Sequence, residues 1–385
     1  MNLMSRRELT KVVCERYRRA TKKDKIKILD EFVQNTGYHR KYALALLHNR
    51  RRQKAATGRR RKRIYTPDVV DALTFIWEVS NYRGSHCLQP FLPEMVAALD
   101  RHDELHLLPT TRQLLLQMSP ATIDRLLKPA RRGLVPHGRT TTKPGTLLKK
   151  SIPIRTWADW DDLKPGFLEI DLVAHCGEST DGKYLETLDC VDVATAWCEC
   201  IAPRNQGQQA VFAALLEIRQ RCPVPLLGMD SDNDGAFINE HLKRYCDQER
   251  ITFTRSRPYK KNDQAHVEGK NWTVVRKYVG YARYEGDLAR VTLNELYRDL
   301  RLYVNFFQPV MKLKEKIRVD AKVKKVYDTA QTPYQRVLAS PDVSEEAKQN
   351  LREIYLTLNP VKLRDAIEKH LDKLRDLRAI RSRPE

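Results

Sequence analysis

The chain has 385 residues, 41% hydrophobic and 31% charged, a globular balance with length enough for two to four domains. No run approaches the roughly 18 apolar residues of a membrane span, so a bilayer-crossing protein is not expected. Lys and Arg number 70 against 49 Asp and Glu, a net charge of +21; this points to a polyanionic partner, with nucleic acid ahead of an anionic membrane surface.

Residues 1–13 hold no apolar stretch followed by a small-residue cleavage site, and the expected location is the cytoplasm. Residues 5–49 read as three short helices. Ser5 with Glu8 and Thr21 with Asp24 supply capping signals, Ile26, Leu29, Phe32 and Val33 form an apolar stripe, and Asn35-Thr36-Gly37 breaks the second helix. This is helix-turn-helix spacing, which would bring Tyr38, His39, Arg40 and Lys41 at the start of the last helix to the DNA major groove. The alternative is a plain three-helix bundle with a solvated basic face.

Arg50-Arg51-Arg52 and Arg59-Arg60-Arg61-Lys62-Arg63 bracket a short Ala/Thr/Gly segment, an extended basic linker able to lie along phosphates. Thr66-Pro67-Asp68 opens a helix with Val70, Leu73, Ile76 and Trp77 inward, and Ser119-Pro120 caps another ending near Leu127. These suggest a second helical DNA-binding module over 64–132. Residues 133–165 lose periodicity and read as a linker.

From Phe167 the pattern turns to strands: FLEIDLVA, KYLETLDCV and TAWCECIA predict three consecutive antiparallel strands. A helix over 208–219, a short strand at VPLLGMD, a helix over 237–246, a strand at ITFT and a helix over 265–278 follow. The order βββαβαβα predicts an RNase H-like mixed sheet with helices on its faces. A helix over 288–306 with Val291, Leu296, Leu300 and Tyr303 inward comes next, then irregular basic residues to about 330 and helices near 344–357 and 360–378.

The eight cysteines, at 14, 87, 176, 190, 198, 200, 222 and 246, include no C-x-x-C pair, so reduced thiols are expected rather than disulfides or a zinc ribbon. Cys198 and Cys200 share a strand face with His175 nearby, but core packing is the favoured reading and no zinc is assigned. Three carboxylates fall at element positions that suit a metal site: Asp171 within the first strand, Asp232 beyond the fourth, Glu268 opening the helix over 265–278. An Asp inside an apolar strand is costly to bury without a partner or a cation. Three carboxylates, two Mg²⁺ and one phosphodiester come close to neutrality, as two-metal displacement at phosphorus requires.

Asp232 and Glu268 are 35 residues apart, within the segment TRSRPYKKNDQAHVEGKNW. Residues 155–315 resemble the integrase-type catalytic domain of bacterial insertion-sequence transposases, related to retroviral integrases. The similarity includes the D,D(35)E spacing, the S-x-P-Y and N-x-x-x-E elements, Asp192-Val-Ala-Thr, and Asn305-Phe-Phe-Gln-Pro-Val-Met-Lys-Leu. One departure is Asp232-Asn233-Asp234-Gly235-Ala236-Phe237 where the family has D-N-G-x-E-F, which makes Asp230 and Asp234 rivals to Asp232.

Together the sequence features predict a multidomain α plus α/β protein: a helix-turn-helix domain (1–50), basic linker (51–63), second helical DNA-binding domain (64–132), linker (133–165), RNase H-like core (166–286) and helical basic C-terminal region (287–385). The resemblance covers the core. It implies a DNA transposase that binds the terminal inverted repeats of a mobile element, with Asp171, Asp232 and Glu268 as catalytic and metal residues for strand cleavage and transfer. Two Mg²⁺, replaceable by Mn²⁺, would serve as cofactors. Double-stranded DNA at element ends and target would be the partner of a homo-oligomer in the bacterial cytoplasm. Arg255, Arg257, Lys260, Lys261, Lys270, Arg276 and Lys277 around Glu268 would meet phosphates, or else form a solvated face. The alternative function is a catalytically impaired DNA-binding regulator of transposition.

Overall fold

In the computed structural model the described residues are 3–48, 64–131, 164–231, 237, 240–255, 265–319 and 322–378. The basic segment Arg59–Arg63, the linker through 163, Asp232, Asp234, Arg257, Lys260 and Lys261 lie outside them, as do the side chains of Arg255 and Glu268. Contacts divide the chain into two units, Met1–Ile64 and Tyr65–Glu385.

The first unit holds α1 (Leu3–Arg19), α2 (Lys22–Thr36) and α3 (Arg40–Leu47). Thr21 caps α2, accepting from the Asp24 amide at 3.4 Å and donating to its carboxylate at 2.6 Å. Gly37 ends α2 at φ 67°, a left-handed turn that a side chain would strain. Tyr17, Ile28, Leu29, Phe32, Ala43 and Leu47 form the core. Two expectations shift: α1 begins at Leu3, which puts Ser5 inside its first turn, and Ile26 is 54% exposed because Ile28 takes the inward position.

In the second unit, α4 (Pro67–Val79), α5 (Ser85–Arg101), α6 (Pro109–Leu116) and α7 (Pro120–Arg131) precede β1 (Phe167–His175), β2 (Leu185–Asp192) and β3 (Cys198–Ile201). Then come α8 (Gln208–Arg221), β4 (Gly228–Ser231), α9 (Glu240–Glu249), β5 (Thr252–Arg255) and α10 (Ala265–Lys270). A π-helical stretch (Asn271–Arg276) joins α10 to the short α11 (Lys277–Val279), and α12 (Gly286–Phe307) follows. The strands form one mixed sheet in the order β3-β2-β1-β4-β5. β1–β2 and β2–β3 are antiparallel, while β1–β4 and β4–β5 are parallel. Parallel neighbours need a crossover, which α9 provides between β4 and β5. The fold is thus mixed α/β, with the element order βββαβαβα that the sequence predicts.

Alternation along β1 sorts its side chains between two layers. Leu168 and Ile170 join Leu188, Cys190, Val211, Leu215 and Leu242 in the core beneath α8 and α9. Glu169, Asp171, Val173 and His175 take the opposite face, toward α10 and α12. There Val173 and Val191 share a core with α4–α7 and α12. The helices α4–α7 share this buried cluster, with α4 and α5 in contact with the helix Pro360–Asp376. Their apolar stripes, such as Leu88, Leu92, Met95 and Leu99 of α5, are fully used there.

The family-like segments outside the acidic residues are joints of this packing. Asn305 on α12 accepts from the Cys198 amide at 2.9 Å and donates to its carbonyl at 2.8 Å, which docks α12 on β3. Asp192 accepts from the Gly166 amide at 2.7 Å and from Thr195 at 2.7 and 2.6 Å, closing the turn after β2. The chain ends in β6 (Leu313–Val319), β7 (Lys322–Tyr327), α13 (Pro333–Ala339), α14 (Glu345–Thr357) and α15 (Pro360–Asp376). The β6–β7 hairpin replaces the irregular stretch expected before 330, and α13 is an additional helix beyond it. Val291, expected inward on α12, is 40% exposed. Among the described residues no helix is long and apolar enough to cross a membrane.

Candidate active site

β1 grips α10 and the π-helical stretch that follows it at one point each, and both grips use the polar face of the strand. Glu169 is 1% exposed and its Oε2 accepts from the Val267 amide at 2.8 Å, satisfying a first-turn N–H that α10 cannot pair internally. Asp171 is half-buried, and its Oδ2 accepts from Asn271 Nδ2 at 2.5 Å. Two residues along a strand advance about 6.6 Å and four along a helix about 6 Å, so the two rails match in length. The backbone of Glu268 lies between these grips, one residue after Val267 and three before Asn271.

On the neighbouring strands, Glu169 is in register with Asp230, and Ile170 with Ser231. Asp230 is 6% exposed and its Oδ1 accepts from Thr254 Oγ1 at 2.6 Å, across to β5. On the other side Asp171 is in register with Asp189, an arrangement that would oppose two like charges. Asp189 is fully buried; burial pushes its carboxyl up to about 7, against the downward pull of the Cys198 thiol and of Lys270, while Asp171 adds to the rise. Near neutral pH the pair therefore carries less than two full charges.

Cys198 and Cys200 donate to Asp189 Oδ1 at 3.2 and 3.5 Å, with their sulfurs 4.0 Å apart. These three donor groups lie within 4.8 Å of one another and could hold a metal ion. His175 does not belong to this group: its Nε2 meets Thr187 Oγ1 at 2.7 Å, and burial holds the ring neutral by lowering its pKa to about 3.

A pH dependence of stability follows from Asp189. Between the ordinary carboxylate range and about 7 the folded protein keeps a proton that the unfolded chain has released, so this group's contribution to stability falls as pH rises. Asp189→Asn, which preserves the Oδ1 acceptor, is expected to flatten the fall in urea-denaturation stability across that window. Equal slopes for the two proteins would show that Asp189 titrates normally.

Lys270 departs from its expected place among surface phosphate contacts. It is 7% exposed, and burial depresses its amine pKa, opposed by the Cys198 and Asp189 charges. It is the last residue of α10, and its side chain is buried rather than turned to solvent. Lys277 is exposed, with Nζ 3.3 Å from the Asn81 carbonyl. In the first unit His39, Arg40 and Lys41 are exposed; His39 caps α3 through the Lys41 amide at 3.3 Å, and Arg40 pairs with Asp30. Tyr38 is half-buried and packs against Phe32 and Tyr42. Glu169, Asp189 and Asn271 escaped the sequence reading. Glu169 and Asn271 had a usable signal, being a strand repeat before Asp171 and a helical turn after Glu268.

No family model matches the chain. Among solved structures it is similar to the magnesium-bound catalytic core domain of HTLV-2 integrase in its dimeric form, with 16% identity and a TM-score of 0.30, covering 39% of this chain and 92% of that one. It is also 42% identical over 338 residues to y4rM of Sinorhizobium fredii, described as an uncharacterized protein, a match covering 87% of this chain and 96% of that protein. At that identity and coverage the chain belongs to the same family as y4rM.

Proposed function

We propose that the chain is a DNA transposase of the integrase type, with an RNase H-like core that cleaves DNA strands and transfers their ends. The observation that carries the reading is the pair of hydrogen bonds from Glu169 and Asp171 to Val267 and Asn271, which hold the Glu268-bearing segment along β1. The β1–β4 register supports Asp232 as the second carboxylate: it runs to Ile170↔Ser231, one step in sequence before Asp171 and Asp232, while Asp230 is already engaged by Thr254.

Asp171, Asp232 and Glu268 would hold two Mg²⁺. Bound ions would activate the attacking oxygen and stabilise the leaving one at phosphorus. Asp171 fits this use, being partly accessible, with one carboxylate oxygen oriented by the Asn271 amide. Asn271 orients the Asp171 carboxylate, and the raised pKa of Asp189 limits repulsion behind it. The helical unit over 1–50, the basic residues 59–63 and the cations Arg255, Arg257, Lys260, Lys261 and Lys277 would bind the element's terminal repeats and the target duplex. The helix-turn-helix reading rests on α2, the Gly37 turn and the exposed start of α3.

The test is a plasmid carrying the DNA that flanks this gene on both sides, incubated with the purified protein and Mg²⁺ or Mn²⁺. Metal-dependent 3′-hydroxyl ends and joined products are expected. Binding without either product would assign the chain to regulation of transposition instead. Asn271→Ala should keep the fold and DNA affinity but raise the Mg²⁺ concentration for half-maximal cleavage by about 10- to 100-fold, as expected when a metal ligand loses its orienting partner. An unchanged metal requirement would show that the Asn271 contact is only structural.

A further inference from the structure

Strands β6 and β7 pair antiparallel from Val319↔Lys322 back to Leu313↔Tyr327, with a bulge between Leu313 and Glu315, and they form a sheet of their own. Its stem is fixed: the Lys312 amide donates to Asp328 Oδ1 at 2.7 Å, and Arg336 donates to Asp328 Oδ2 at 2.7 Å. Beyond the stem, described side chains on both faces are exposed. Arg318, Val323, Lys325 and Tyr327 are exposed on one face, Ile317 and Lys324 on the other. Val323 is 53% and Tyr327 47% exposed. A two-stranded ribbon with two wet faces is marginal in water, so its retained apolar side chains point to a partner.

Charge identifies that partner. Residues 313–327 contain six Lys or Arg against two Asp or Glu. Two copies of such a ribbon would repel each other, whereas a polyanion would be attracted. The major groove is about 12 Å wide and admits a two-stranded ribbon, whose side chains can meet phosphates at the rim and base methyls within. We infer that the β6–β7 ribbon is a DNA-docking arm that enters the major groove of duplex DNA, with Lys314, Lys324 and Lys325 on phosphates and Val323 and Tyr327 against the groove. The inference needs no strand cleavage and shares with the proposed function only the duplex.

The test uses the full chain, wild type and Lys314→Gln/Lys324→Gln/Lys325→Gln, with a labelled random-sequence duplex of about 40 base pairs, long enough for a full groove turn on either side of the site, titrated across a salt series. The triple variant should bind about tenfold or more weakly at 0.1 M salt, and its slope of log affinity against log salt should be shallower by about 2 to 3, at about 0.9 per lost contact. Val323→Ser/Tyr327→Ser should weaken binding with the slope unchanged. Both should retain the wild-type melting temperature and sedimentation mass. Unchanged affinity and slope would overturn the inference, as would a change in mass with DNA binding intact, which would assign the ribbon to a second copy. Metal-dependent cleavage, scored separately, can fail or succeed without altering either outcome.

Discussion

Asp171→Asn is expected to reduce DNA cleavage and joining by at least about a thousandfold, the scale on which loss of a charge-stabilising group is felt, while leaving duplex affinity within about twofold, less than one phosphate contact is worth. The reason lies in what the substitution preserves. The amide oxygen can still accept from Asn271 Nδ2, so the grip of β1 on α10 survives, and the volume is nearly unchanged. Only the negative charge is lost, and with it the means of holding a divalent cation. Comparing Asp230→Asn, Asp232→Asn and Asp234→Asn in the same assay identifies the second carboxylate. Loss at Asp232 alone supports the 35-residue spacing; loss at Asp230 would mean that its bond to Thr254 opens during the reaction. A parallel loss of folding and DNA binding in Asp171→Asn would place Asp171 in the fold instead.

The sheet was legible because its strands carry the simplest pattern. FLEIDLVA alternates between a fully apolar face and a face of Glu169, Asp171 and Val173, and the structure sends those faces to different layers. What escaped were features set by tertiary partners. No helix is read from pattern alone over 85–101, yet α5 forms there and runs through Pro90 and Pro93, with its Leu88, Leu92, Met95 and Leu99 stripe buried. Lys270 reads as one more surface cation until α10 is seen to turn it inward beside Asp189. The β6–β7 ribbon was hidden by its charge: a run of lysines resembles a solvated loop, and strand pairing is a non-local fact. The joint of Asn305 with Cys198 likewise spans 107 positions and cannot be read from either segment alone.

Arg301→Ala should produce the largest loss of stability of any single change around the sheet, about 3–5 kcal/mol, because it strands a buried charge. Glu199, on the edge strand β3, is 1% exposed; both its carboxylate oxygens accept from Arg301 Nε, at 2.9 and 2.7 Å, and Oε1 also accepts from Trp197 Nε1 at 2.8 Å. Burial raises the Glu199 pKa while Arg301 lowers it, so removing Arg301 leaves the first influence unopposed. The folded variant will then hold a proton that the unfolded chain releases. Its deficit should be small in the ordinary carboxylate range and grow as pH rises above it. Glu199→Gln in the Arg301→Ala background should restore much of the loss, since an amide can be buried without charge and still accept from Trp197. Urea denaturation of the wild type, Arg301→Ala, Glu199→Gln and the double variant, followed by Trp fluorescence at a low and a neutral pH, measures both effects. A loss below about 1 kcal/mol at neutral pH would put the pair in the range of exposed ion pairs, showing that it does not bear on the joint between α12 and the sheet.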